Sequence, residues 1–289
     1  MFMVLKGAAV SRSIMERLAV KSQELREKRV FPKLAIVRAG ERPDDLSYEK
    51  SVLKKADSIG IRVQVFTLAE NCGTEEVAML LRLINEDQNI HGTLLFSPMP
   101  KTVNEEIVRR ALIPEKDVDG ITPQSGYGVF SGRRIGFPPC TPEACVRMMD
   151  YYGIEPDGKQ ITIVGRSMVV GRPLAMMLLQ RNATVTICHT HTKDLKERCL
   201  EADIVIAAAG VPRLLTGEYF REGQVVLDVG IHPDGENGFC GDVDYEEASA
   251  ICADITPVPG GVGNVTTAVL LEHVLEAAEQ QNKWRDLEE

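Results

Sequence analysis

Residues 161–173 read Ile161-Thr162-Ile163-Val164-Gly165-Arg166-Ser167-Met168-Val169-Val170-Gly171-Arg172-Pro173. An apolar strand runs into a glycine-bounded turn and then into a helix. Chains use that order to hold a phosphate on free backbone N–H groups at a helix start, where the helix dipole also favours negative charge. The spacing is not G-x-G-x-x-G: only Gly165 and Gly171 flank the turn, with Arg166 and Ser167 between them as side-chain phosphate donors. A glycine turn alone can be no more than a tight loop. Strand, turn and helix arriving in this order favour a dinucleotide site.

Outward from this stretch, apolar strands alternate with amphipathic helices, the pattern of parallel sheets covered on both faces. The first half predicts strands at Lys33–Arg38, Arg62–Thr67 and Gly92–Ser97, with helices at Ser47–Ile59 and Thr74–Asn85 between them. The second half predicts strands at Gln160–Val164, Ala183–Cys188, Asp203–Ala208, Gln224–Val229 and Ala253–Ile255. Between the halves, Ser131–Pro142 is rich in Gly, Pro and Arg and reads as a crossing between domains. Thr141-Pro142-Glu143 then opens a helix, with Thr141 as N-cap and Pro142 at the first helical position. A last helix, Asn264–Gln281, repeats apolar residues at Ala268, Leu271, Leu275 and Ala278. It is expected to pack back on the first domain, because the second sheet is complete before it. The predicted architecture is α/β with two α/β domains, the second a Rossmann-like, doubly wound, mainly parallel sheet. The first domain takes residues 1–140 plus 266–289, the second 141–265.

The chain's 289 residues suffice for one large or two modest cores. At 44% hydrophobic and 26% charged, it is neither disordered nor membranous in composition. A net charge of −9 argues against nucleic acid, which needs a basic face to displace counterions. Anionic small ligands stay open, since a few local arginines suffice. No apolar run approaches the roughly 20 residues of a membrane span, and Lys6 and Arg12 interrupt any secretory core at the N-terminus. The seven cysteines form no C-x-x-C pair and read as reduced thiols of a cytoplasmic protein. His189 and His191 could hold a metal but read better as a pocket edge, so no metal site is expected.

Four more segments could carry chemistry. Tyr48 in Ser47-Tyr48-Glu49-Lys50 opens a helix, where an aromatic can face a cleft or be an ordinary half-buried ring. In Asp117-Val118-Asp119-Gly120 two carboxylates could accept from the amino groups of a heterocycle, or simply make an Asx turn. Val258-Pro259-Gly260-Gly261-Val262-Gly263 has more glycine than a turn needs and lets backbone approach a ligand. Asp228-Val229-Gly230-Ile231 ends a strand of the nucleotide half, where a cofactor ring would pass.

Taken together, these segments resemble the bacterial methylenetetrahydrofolate dehydrogenase/cyclohydrolase family (the FolD type), over essentially the whole chain. The resemblance rests on Val164–Ser167 with Val170–Pro173, Lys116–Gly120, Asp228–Ile231 and Thr256–Gly263, in that family's order. It implies oxidation of 5,10-methylene-tetrahydrofolate to the methenyl form with NADP, or with NAD, and a second, hydrolytic activity in the same cleft. It also implies a reduced folate as small-molecule partner, with or without a polyglutamate tail, and a homodimer. Tyr48 would stack on or hydrogen-bond the folate, and Asp119 would accept from the pterin amino groups. The Pro259–Gly263 loop would shape the floor between pterin and nicotinamide. Gly165, Arg166, Ser167 and Gly171 would take the cofactor phosphates, Thr190 with Arg166 a 2′-phosphate, and Ile231 would pack near the nicotinamide.

Three places depart from the resemblance, the mildest being Asn264-Val265 where the family has Pro-Met after Gly263, a change that Asn264 as a helix cap should absorb. The family's lysine, four residues after the tyrosine, is here Val52, and the glutamine after the third strand is Phe96 in Leu95-Phe96-Ser97-Pro98. At about 100° per residue, Lys50 and Lys54 point to other helix faces, and Lys55 returns to the correct face about 10 Å along the axis. Losing both polar partners together avoids leaving one buried and unpaired. Hydride loss from the folate carbon needs mainly positioning, whereas hydrolysis needs a tuned base. The expectation is therefore a dehydrogenase with weak or absent cyclohydrolase activity, its folate wall including Val52, Leu95, Phe96 and Ser97. The alternatives are a fully bifunctional enzyme using another lysine, a non-folate Rossmann dehydrogenase, and a non-catalytic binder.

Overall fold

The computed structural model describes residues 3–235 and 238–288. Along the chain, β1 (Met3–Val4) and α1 (Gly7–Glu27) lead into β2 (Lys33–Ala39), α2 (Pro43–Ser58), β3 (Arg62–Leu68), α3 (Thr74–Glu86) and β4 (Gly92–Leu95). Then α4 (Glu105–Ala111), α5 (Pro123–Ser131) and α6 (Cys140–Tyr152) precede β5 (Gln160–Val164), α7 (Gly171–Leu179) and β6 (Thr184–Cys188). The remainder is α8 (Leu195–Glu201), β7 (Ile204–Ala207), β8 (Val225–Asp228), β9 (His232–Pro233), β10 (Phe239–Cys240), α9 (Tyr245–Ser249), β11 (Asp254–Ile255) and α10 (Gly263–Glu288). The chain divides into two compact units, Ser13–Cys140 with Thr267–Glu289, and Met1–Arg12 with Thr141–Thr266. Among the described residues no helix is long and apolar enough to cross a membrane.

In the first unit β2 lies between β3 and β4, all parallel. Leu34, Ala35, Ile36 and Val37 of β2 are all fully buried, so the strand is covered on both faces. One cover is α3, whose buried Val77, Ala78, Leu81 and Ile84 follow the period of a helix with a single apolar stripe. As expected, α10 packs in this unit. Glu272 and Glu279 on it meet Arg17 and Lys21 of α1 at 2.6 and 2.7 Å, and Gln281 donates to the His91 carbonyl. The carboxyl ends of β2 and β4 open toward Tyr48 at the start of α2 and toward Phe96.

The second unit is a six-stranded, wholly parallel sheet in the order β1-β11-β8-β7-β5-β6, with β9 and β10 as a separate antiparallel pair. β5 lies between β6 and β7, so the Gly165 turn leaves the middle of the sheet at its carboxyl edge. Here the expected boundary is corrected. Met3 and Val4 pair with Asp254 and Ile255, which carries the first twelve residues into this unit and out of the 1–140 segment. Two hydrogen-bonded residues decide this, too few to show as a periodic strand. A second correction concerns α6, which begins at Cys140, so Thr141 lies inside it. The exposed donor at its start, the Cys140 N–H, is met by the Asp119 carboxylate, a cap from 21 positions earlier.

Candidate active site

In the first unit, α2 starts with Pro43 in its first turn and acidic Asp44 and Asp45 there, which favour the positive helix end. This fixes Tyr48 one turn in. Its ring centroid lies 5.7 Å from that of Phe96, tilted by 37°, and its hydroxyl hydrogen-bonds Thr267 of α10. Burial, and then the nearby Asp119 carboxylate, raise its phenol well above the ordinary range, so it stays protonated and can donate. Val52 and Ala56 are fully buried and Ile59 nearly so. Lys50 and Lys54 are exposed, and Lys55 is half-buried, its ammonium disfavoured by that burial. Leu95 and Phe96 are buried, and Ser97 is exposed with its carbonyl 3.4 Å from Arg42.

The segment Lys116–Gly120 divides its labour. Lys116 is buried and its ammonium donates to the carbonyls of Ile84, Asn85 and Asp87 at 2.7–2.8 Å, closing the carboxyl end of α3. Asp117 is fully buried and accepts from the Ile121 and Thr122 N–H groups and the Ser125 hydroxyl, so it is the Asx turn. Asp119 is the one left over. Its carboxylate accepts from the Cys140 N–H and thiol, and burial, aided by Asp117, pushes it up to about 6. Cys140 also approaches the Val118 carbonyl at 3.3 Å, and His273, stacked near Phe137, donates from Nδ1 to that carbonyl at 2.9 Å. Thr267, Cys140 and His273 escaped sequence reasoning. Only the expectation that α10 returns to this domain could have hinted at Thr267 and His273, and Cys140 read as one reduced thiol among seven.

In the second unit, the Gly165 turn is set by close backbone approach. A Cβ on Gly165 would lie 2.0 Å from the Ala208 carbonyl, and one on Gly171 would lie 2.1 Å from the Gly165 carbonyl. Both glycines are therefore required by the turn's own packing. Arg166 and Ser167 are exposed, and the Ser167 Oγ accepts from the Val170 N–H at 3.0 Å, which leaves its O–H as a donor. His189 lies close enough to Arg166 for the cation, after desolvation, to lower its pKa, and its ring is 6.1 Å from that of His191. Thr190 between them is exposed. Among the described residues no group of three or more His, Cys, Asp or Glu could hold a metal.

Asp228 does not point out toward a ligand. Its carboxylate accepts from Gly230, Asp242 and Val243 N–H groups, each at 3.0 Å, and burial raises it to about 7. Asp242, fully buried, accepts from the Gly210 and Val211 N–H groups at 3.0 Å and meets His232 Nε2 at 2.7 Å. These two carboxylates lock the ends of β7 and β8 and leave Ile231 61% exposed. Exposed Met168, Val169 and Val211 supply further apolar side chains at the ends of β5 and β7. A glycine turn with exposed Arg166 and Ser167 beside an apolar shelf has the donors and the surface to fit a dinucleotide. The Pro259–Gly263 loop belongs to this unit. Gly7 N–H donates to the Gly260 carbonyl at 2.9 Å, Val262 is buried, Gly261 is buried, and Pro259 and Gly263 are exposed.

Known proteins match this arrangement unit by unit. The family model for the tetrahydrofolate dehydrogenase/cyclohydrolase catalytic domain matches residues 5–119, and that for the family's NAD(P)-binding domain matches residues 139–282. The "Bifunctional protein FolD" of Clostridioides difficile (strain 630) is 45% identical over 279 residues, which cover 96% of this chain and 97% of that protein. Among solved structures, the bifunctional enzyme FolD of Campylobacter jejuni superposes with a TM-score of 0.95 at 39% identity, covering 97% of this chain and 99% of the other. The Trypanosoma brucei enzyme, solved with NADP cofactor and inhibitor, gives 0.90 at 31% identity over 96% and 98%. With both of its units matched in order and nearly its whole length covered, the chain belongs to the tetrahydrofolate dehydrogenase/cyclohydrolase family.

Proposed function

We propose that the chain oxidises 5,10-methylene-tetrahydrofolate to 5,10-methenyl-tetrahydrofolate with NADP. The observation that carries this reading is the first unit's polar cluster, in which the Asp119 carboxylate, besides capping α6 at the Cys140 N–H, lies near Tyr48, itself held protonated by burial. Asp119 accepts from the pterin amino groups. Tyr48, fixed by Thr267 and by Phe96, stacks on or donates to the folate. The folate's methylene carbon gives up hydride because the adjacent nitrogens share the positive charge that remains, so the protein's contribution is chiefly placement. NADP, when bound, accepts that hydride. Gly165, Arg166, Ser167 and Gly171 hold its phosphates, Arg166 with Thr190 its 2′-phosphate, Ile231 lies against the nicotinamide, and the Pro259–Gly263 loop shapes the floor. The NAD(P)-binding family model and the relative solved with NADP support the cofactor assignment. A homodimer in the cytoplasm, with a reduced folate as small-molecule partner, goes with this reading.

For the hydrolytic step the buried Val52 and Phe96 argue for loss, since on their side Tyr48 faces apolar groups where the family has a lysine and a glutamine. A second reading, retention of both activities, is favoured by the relatives, which are named as bifunctional. Lys55, half-buried with its ammonium disfavoured, is then the lysine to test. Purified protein given methylene-tetrahydrofolate and NADP should form NADPH, and absence of NADPH would refute the dehydrogenase. Methenyl-tetrahydrofolate supplied alone should decay no faster than in buffer; brisk enzymatic decay, abolished by Lys55→Met, would establish the second reading.

A further inference from the structure

At the amino ends of the first unit's three strands lies a cavity of about 320 Å³ lined by Arg29, Lys33, Arg62, His91, Phe31 and the amides of Gln88, Asn89 and Asn282. Lys33 and Arg62 are the first residues of β2 and β3, and His91 immediately precedes β4. Tyr48 and Phe96 lie past the other ends of these strands. Seven residues of β2 at ~3.3 Å each separate the two places by roughly 20 Å, so this cavity is no part of the folate site.

Its chemistry is that of a receptor for negative charge. Three cationic side chains converge, and no carboxylate is among the lining residues, in a chain whose net charge is −9. Among the described residues, none of Arg29, Lys33 and Arg62 makes a salt bridge. Asp87 feels Lys33, but its Oδ1 is engaged by the Asn89 N–H and side-chain amide at 2.9 and 3.1 Å. The Arg62 guanidinium sits over the Phe31 ring, 4.9 Å from its centroid, which fixes one donor fork while leaving its edge available. Lys33 N–H donates to His91 Nδ1 at 3.2 Å, which ties the imidazole to the start of β2. Like charges brought together without counter-charge repel, and a bound anion relieves that repulsion.

We propose that this cavity binds a multiply charged small oxyanion, a polyphosphate or a polycarboxylate, as a site separate from both substrate and cofactor. The test is isothermal titration of the full-length protein at low salt with tripolyphosphate and, in a second arm, citrate, with the dinucleotide turn saturated by NADP. Saturable binding is expected, weakened at least tenfold in Lys33→Ala and in Arg62→Ala and unchanged in Arg166→Ala. The tighter of the two probes names the source. Each variant's melting temperature, within about 2 °C of the parent, separates lost binding from lost folding. No saturable binding of either anion by 5 mM (on the order of the weakest specific affinities), or binding lost in Arg166→Ala and kept in the other two variants, would overturn the site.

Discussion

Replacing Asp119 by asparagine should lower activity and leave the fold at least as stable. A carboxyl held at about 6 instead of its ordinary 3.8 disfavours its ionised form in the folded chain by on the order of 3 kcal/mol. The sign follows from linkage: the folded state holds this proton more tightly than the unfolded state. The penalty is therefore full above about pH 6 and disappears as the pH falls through 3.8. Asparagine carries no such penalty, and its one carbonyl oxygen can still accept from the Cys140 N–H. At pH 8 the variant should melt no lower than the parent, and the advantage should shrink toward pH 4. Binding moves the other way. A charged acceptor to a pterin amino group is worth about 1.5–3 kcal/mol, so kcat/KM for methylene-tetrahydrofolate should fall roughly 10- to 150-fold. In the parent, kcat/KM should drop about tenfold per pH unit below about 6 as the carboxyl protonates, and Asp119→Asn should lack this limb. NADPH formation across pH, beside thermal melts of both proteins, measures all of this. A variant that is destabilised while keeping full activity would refute the assignment and leave Asp119 as a cap for α6 only.

Lys116→Met strands three carbonyls at the end of α3 and should cost about 3–5 kcal/mol, a fall of roughly 10 °C in Tm; a shift under 3 °C contradicts the capping role. Gly171→Ala puts a methyl 2.1 Å from the Gly165 carbonyl, so KM for NADP should rise at least about tenfold while folate affinity holds; an unchanged KM would show that the turn adapts. Arg166→Ala should raise KM about tenfold for NADP and less for NAD, and equal effects would remove Arg166 from the 2′-phosphate. Val52→Lys with Phe96→Gln should confer methenyl-tetrahydrofolate hydrolysis absent from the parent, provided melts show the paired substitution is tolerated at this buried wall.

The parallel sheets were legible because their strands are continuous apolar runs: Ile161–Val164 and Leu34–Val37 are buried on both faces and carry no competing period. Strand β1 was not legible, because two residues hold it and its partner lies about 250 positions away. Helix α1 was not predicted although its buried Val10, Ile14, Leu18 and Leu25 recur at helical spacing; the buried Ser22 interrupts the stripe, and Arg17 and Lys21 find their partners only on α10. In the site, the residue pattern by itself left Asp117 and Asp119 equivalent, and it was the family resemblance that singled out Asp119. Both are acids in one short motif, and only the hydrogen bonds show that one builds the turn. Asp228 drew notice only as part of the strand end where a cofactor ring would pass; its structural role was not legible, because its partners Asp242 and Val243 lie 14 and 15 residues on, across a hairpin with no periodic signal. Thr267 came from tertiary packing alone.

The most direct measurement follows both products when the purified protein is given 5,10-methylene-tetrahydrofolate and NADP. NADPH should appear in step with methenyl-tetrahydrofolate, one for one, and the methenyl form should then persist as long as it does in buffer alone. Folate consumed with no NADPH formed would contradict the account at its centre.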